Sequence, residues 1–225
     1  MSEKLFFVFD VESVGLHGEG YAYGYVVVDR DGNEIACGES SCDPKFATGD
    51  EAGRKWIAEN CPKLLSLESV PRDVQFRFLE DWHHWKAKGA VMVADCPWPV
   101  EARFLLDCMW CSMDGPYPLI DVGSVVLAAG GDPVGTFDRK DNELPKHDPL
   151  CDARQSARIL IQHLKRDDPA AALVAKAREA VESLKISDAY LGWGDCSLEN
   201  VHNRVRATIH SLAAALAAYE QGGAK

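Results

Sequence analysis

The sequence predicts an α/β fold, a mixed β-sheet flanked by helices with a helical extension at the C-terminus, on three observations. A continuous apolar run ending in an acid opens the chain, Leu5 to Asp10. Two strand-like segments follow, joined by an Asp-Gly step at Asp31-Gly32, which is a strong hairpin signal. Strands and helices alternate after that, and a hairpin meander followed by strand-helix units is the pattern of a mixed sheet with helical layers.

In order, Leu5 to Asp10 reads as a strand buried on both faces, with Asp10 at its carboxyl end. Gly20 to Asp29 and Asn33 to Cys42 complete three antiparallel strands. Asp50 to Glu59 and Arg72 to Ala87 carry helical spacing, interrupted by Pro62 and Pro71, and most aromatics of the second (Phe76, Phe78, Trp82, Trp85) are expected in the core. Ala90 to Asp95 is a second buried strand ending in an acid, and a helix is expected from Val100 to about Met113. Tyr117 to Val126 reads as a strand running into a short helix, Gly130 to Pro145 as a polar loop, and Asp148 to His163 as a helix started by Asp148-Pro149. Past Asp168 the chain becomes Ala-rich and helical. The expected organisation is a main domain at 1–166 and an accessory helical tail at 167–225, the tail being a candidate surface for homodimerisation.

Composition excludes several classes. No run approaches the roughly 18 apolar residues of a membrane span, and the apolar start is too short for a signal peptide and has no small-residue cleavage site. A soluble, cytoplasmic chain is the expectation. Its eight cysteines have no framework spacing, so reduced thiols are expected, and the lone C-x-x-C of Cys108 and Cys111 reads as two buried thiols. A net charge of −11 disfavours direct phosphate binding by surface cations. It leaves room for a site in which acids hold divalent ions and the ions meet the phosphate.

Chemistry concentrates in two segments. In Phe9-Asp10-Val11-Glu12, residues two apart in an extended chain point the same way, so Asp10 and Glu12 can meet one hard cation. In Lys146-His147-Asp148-Pro149-Leu150-Cys151-Asp152, His147 lies just before the helix and Asp152 on its first turns. An imidazole beside a metal-bound carboxylate can take a proton from an attacking water near neutral pH. The competing structural reading pairs Asp152 with Arg154 or Arg158. A further acid is needed from the middle of the chain, where Asp95 at a strand end is slightly favoured over Glu101 in the following helix. Trp98, Phe137 and His17 are candidates for lining a nucleotide pocket, and Arg139, Lys140 and Lys146 for touching phosphates, while His202, Arg204 and His210 belong to the tail.

Together, FDVESVGL and HDPLCDARQSARIL resemble the first and third motifs of the DEDD exonuclease superfamily, in the subgroup with a catalytic histidine that includes proofreading exonucleases and ribonuclease T. The resemblance covers about Leu5 to Leu164. Val14 stands where that family usually has a hydroxyl residue, and Glu101 stands where it has an aspartate. The resemblance implies a ribonuclease H-like fold and two Mg²⁺ or Mn²⁺ ions held by Asp10, Glu12, Asp152 and a middle acid, Asp95 or Glu101. It further implies His147 as general base and stepwise release of nucleoside 5′-monophosphates from 3′ ends of single-stranded RNA or DNA. An endonuclease of the same fold and a domain that binds nucleic-acid ends without cutting them are the alternatives.

Overall fold

The computed structural model describes residues 4–109 and 118–166. The chain divides into the units Met1–Lys165 and Arg166–Lys225, and the sheet and the site belong to the first. Cys111 and the helical tail expected at 167–225, with His202, Arg204 and His210, lie outside the described residues.

A five-stranded sheet has the order β3-β2-β1-β4-β5. Its strands are β1 (Phe6–Ser13), β2 (Gly20–Val28), β3 (Glu34–Ser41), β4 (Val91–Ala94) and β5 (Leu119–Asp121). The first three run antiparallel, and β4 and β5 then pair in parallel with β1 and β4 respectively. The Asp29–Asn33 turn joins β2 to β3 with Gly32 at φ 85°, a conformation glycine adopts without a Cβ clash, and Asp29 accepts the backbone N–H groups of Asp31 and Asn33. The helices are α1 (Glu51–Asn60), α2 (Pro71–Lys86), α3 (Val100–Met109), α4 (Val122–Ala128) and α5 (Pro149–Arg166). None of the described helices is long and apolar enough to cross a membrane.

β1 is buried on both faces and its alternation assigns each helix a side. Phe7, Phe9 and Val11 join Tyr23, Tyr25 and Val27 against Ile57 of α1, Val74, Phe78, Trp82 and Trp85 of α2, and Phe104 of α3. Phe6 and Val8 join Val26, Val28 and Val93 against Val122 and Val126 of α4 and Ala157, Leu160 and Ile161 of α5. Of the four aromatics expected in the core of the second helix, Phe78, Trp82 and Trp85 are buried and Phe76 is exposed.

One expectation needs correction and another needs detail. β1 continues through Ser13, so Asp10 lies inside the strand, because pairing with β2 outlasts pairing with β4: β2 partners extend to Ser13, while β4 partners end at Phe9. The loop at 130–145 is also more structured than its polar composition suggests. It contains a 3-10 turn at Asp141–Glu143 and is stitched to α5, with Gln155 donating to the Phe137 carbonyl and Arg158 to the Asp138 carbonyl.

Candidate metal centre

Beyond the end of β4, the face of β1 that carries Phe6 and Val8 turns acidic. Opposite residues on an antiparallel pair share a face, and the register places Phe6 against Val28, Val8 against Val26, Asp10 against Gly24 and Glu12 against Ala22. The β2 partners therefore shrink where the β1 residues become acids. At Gly24 the reason is steric: a Cβ there would lie 2.2 Å from the backbone nitrogen of Leu150 and 2.4 Å from the carbonyl carbon of Pro149. The first turn of α5 thus rests directly on the sheet beside Asp10, which only a glycine permits.

That contact delivers the second segment. Asp148 caps α5, its Oδ1 accepting the backbone N–H groups of Leu150 and Cys151, each at 3.1 Å, and Pro149 occupies the first helical position, where its missing donor costs nothing. His147, immediately before, is held at φ 60°, a left-handed conformation uncommon for a residue with a Cβ. It is fixed there from two sides: its backbone N–H donates to Asp152 Oδ2 at 3.2 Å, and its ring stands edge-to-face on Trp56 of α1, centroids 4.8 Å apart. The result is a group in which one ligand atom each from Glu12, His147 and Asp152 lie within 4.8 Å of one another, with His147 Nδ1 3.8 Å from Glu12 Oε1.

Asp10, Glu101 and Asp95 border this group. Glu101 is buried, and the backbone amides of Glu101 itself and of Val11, the residue between Asp10 and Glu12, act to lower the pKa of its carboxyl. Asp95 is exposed as a residue, and partial desolvation of its carboxyl, followed by Asp121 and Asp152, raises its pKa.

Crowding of acids in a poorly solvated place shifts their titration upward, since burial and like charges both disfavour the ionised form. Burial, then Glu101, Glu12, Asp152 and Asp95, holds the Asp10 carboxyl well above its usual range. Glu12 is pushed up to about 8 by burial, then by Asp152 and Glu101. Burial, with a smaller push from Asp95, lifts Glu101 to about 7 despite its two backbone donors. Carboxylate oxygens with one imidazole beside them could hold a divalent metal ion, and such an ion would relieve the repulsion among the acids.

The residues singled out in the sequence that lie among the described ones can be placed. Glu12, His147 and Asp152 converge, Asp10 borders them on the same strand, Glu101 borders them from the buried side, and Asp95 stands at the exposed edge. Asp152 pairs with neither Arg154, which binds Glu34, nor Arg158, which binds Glu143; its Oδ1 is held by Arg139. Phe137 packs on the aliphatic core, with its ring 6.1 Å from His163. Trp98 and His17 are exposed, as are Lys140 and Lys146.

Trp56, Gly24 and Cys61 were not anticipated, the last placing its thiol 3.8 Å from Glu12 Oε2. Of these only Gly24 left a trace, as a glycine inside an otherwise β-branched and aromatic strand, which marks a close approach of another backbone. Compared with family models and with curated proteins, the chain gives no match.

Proposed function

We propose that this protein is a metal-dependent 3′-to-5′ exonuclease acting on single-stranded RNA or DNA ends, built on a ribonuclease H-like fold. The observation that carries the reading is the convergence of Glu12 from β1 with His147 and Asp152 from the start of α5, beside the half-buried Asp10. Strand order and direction are compatible with that fold, and the acids enter from the elements the resemblance requires: the first strand, the helix after the fourth strand and the last helix of the domain.

Asp10, Glu12, Asp152 and Glu101 would hold the ions. Glu101 is preferred to Asp95 because it is buried with its carboxylate beside the Asp10–Glu12 segment, whereas Asp95 faces solvent. The bound ions would supply a more acidic water and charge for the scissile phosphate and the departing 3′ oxygen. His147 takes the proton of the attacking water on its imidazole, and Glu12, 3.8 Å from Nδ1, stabilises the imidazolium that results. Asp152 keeps His147 in place through the backbone N–H, and Trp56 limits the swing of its ring.

End-labelled RNA and DNA oligonucleotides incubated with the protein and Mg²⁺, Mn²⁺ or EDTA provide the test. A ladder shortening stepwise from the 3′ end, abolished by EDTA, is expected. Internal cuts would make the protein an endonuclease, and intact but retained substrate a binding domain.

A further inference from the structure

Arg139 reaches Asp152 in the acid cluster from a segment that is itself hydrogen-bonded to α5. Its Nη1 donates to the Glu143 carbonyl at 2.8 Å and also to Asp152 Oδ1, and its side chain is only 15% exposed. Glu143 is itself buried. Its carboxylate accepts the Lys140 backbone N–H at 2.9 Å and Arg158 Nε at 2.6 Å and Nη2 at 2.9 Å. The base of Arg139 is therefore tied through Glu143 and Arg158 to α5, the helix that carries Asp152.

One nitrogen makes both contacts of this guanidinium, while Nε and Nη2 make no hydrogen bond or ion pair among the described residues. A guanidinium has five donors in a planar fork that fits two oxygens of a phosphate. Arg154 and Arg158 are committed to Glu34 and Glu143, which leaves Arg139 as the arginine at the cluster with donors to spare.

Resting on the proposed metal site, we infer that Arg139 is a phosphate-binding residue of the site, parked on Asp152 and offering its unused edge to the phosphodiester or 5′-phosphate that approaches the acids. The pairing with Asp152 also offsets part of the repulsion in the cluster, so Arg139 and a divalent ion compete for the charge of that carboxylate.

The alternative is that Arg139 merely props Asp152, and metal affinity separates the two. Mn²⁺ binding would be followed by electron paramagnetic resonance, and thymidine 5′-monophosphate binding in saturating Mn²⁺ by calorimetry, for the wild type, Arg139→Gln and Arg139→Lys, each checked by its thermal melt. The expected result for Arg139→Gln is Mn²⁺ affinity equal to or tighter than wild type, together with nucleotide affinity at least tenfold weaker. Arg139→Lys, a point charge without the fork, should recover part of the nucleotide affinity. Weaker Mn²⁺ binding, or unchanged nucleotide affinity, would overturn the assignment. A wild-type protein that bound no Mn²⁺ at all would instead remove the metal site on which it rests.

Discussion

The two faces of β1 solve different problems with alternate residues of one strand. On the side of α1, α2 and α3, Phe7, Phe9 and Val11 meet an aromatic network, in which Phe7 stacks on Tyr25 at 4.6 Å and Phe78 meets Tyr23 edge-on at 5.2 Å. On the side of α5, the sequence Phe6, Val8, Asp10, Glu12 passes from an aliphatic core into an acid cluster within four side chains. Stability is concentrated on the first face, where large rings bury much apolar area, and on the second it is spent on carboxylates that would each be better solvated elsewhere. The aromatic face is what allows the other to be electrostatically unfavourable before any cation binds.

Substitutions on the two faces should therefore fail in opposite ways. Asp10→Ala is expected to cost about 10³-fold or more in cleavage rate, the equivalent of the several kcal/mol that a bound metal contributes to a transition state. Its melting temperature should stay level or rise, because a half-buried acid among acids has been removed. Phe78→Ala should lose about 3–5 kcal/mol of stability and keep its turnover per folded molecule. Parallel rate assays and urea unfolding curves would decide: an Asp10→Ala protein that cuts normally breaks the comparison at the acid face, and a Phe78→Ala protein of undiminished stability breaks it at the aromatic one.

The legibility of the two regions in the sequence also differs. The sheet could be read because a buried strand, an Asp-Gly hairpin and a capped helix are local patterns, and Asp10, Glu12, His147 and Asp152 could be read because short segments carry them at characteristic spacing. What escaped was contact between segments distant in the chain. Nothing near Asp152 indicates that Arg139 will hold it in preference to Arg154 or Arg158. Nothing local tells that Glu101 is buried while Asp95 is exposed either, because burial depends on how α3 packs against β1. The 137–144 segment looked like loop since its order comes from α5, through Glu143, Arg158 and Gln155, and not from its own periodicity.

A pH titration of stability measures how unfavourable the acid face is. Glu12 and Glu101 titrate at about 8 and about 7 in the folded protein, and Asp10 is also raised. When unfolded, all three ionise near the ordinary carboxylate range of about 4. Between those limits the native state binds more protons than the unfolded state, so stability falls as pH rises. The contribution is complete below about pH 4 and is lost progressively as the pH rises through 7 and 8. In EDTA the melting temperature is expected to drop from pH 5.5 to 8.5, and Mg²⁺ or Mn²⁺ should flatten that slope by replacing protons at the carboxylates. A metal-free protein whose melting temperature is flat or climbs over this interval would show that the acids are less crowded than described.

The smallest and most discriminating test uses glycines that lie on opposite faces of the same sheet. A Cβ at Gly24 would meet backbone atoms of Pro149 and Leu150, the nearest at 2.2 Å, whereas a Cβ at Gly38 would meet the ring of Tyr25, the nearest atom at 2.6 Å. Both substitutions to alanine overpack the protein and should cost about 1–3 kcal/mol. They differ in what has to move. Gly38→Ala can be accommodated by a tilt of the Tyr25 side chain on the face of the sheet opposite the acids, and turnover should survive. Gly24→Ala must push the first turn of α5 off the sheet, carrying His147 and Asp152 away from Asp10 and Glu12, and a displacement near 1 Å at a reacting group can cost about 10²-fold in rate. Two alanine variants of similar stability, only one of them impaired in metal binding and cleavage, would locate the catalytic geometry in the bare backbone at Gly24; equal activity in both would mean that α5 does not need to lie that close.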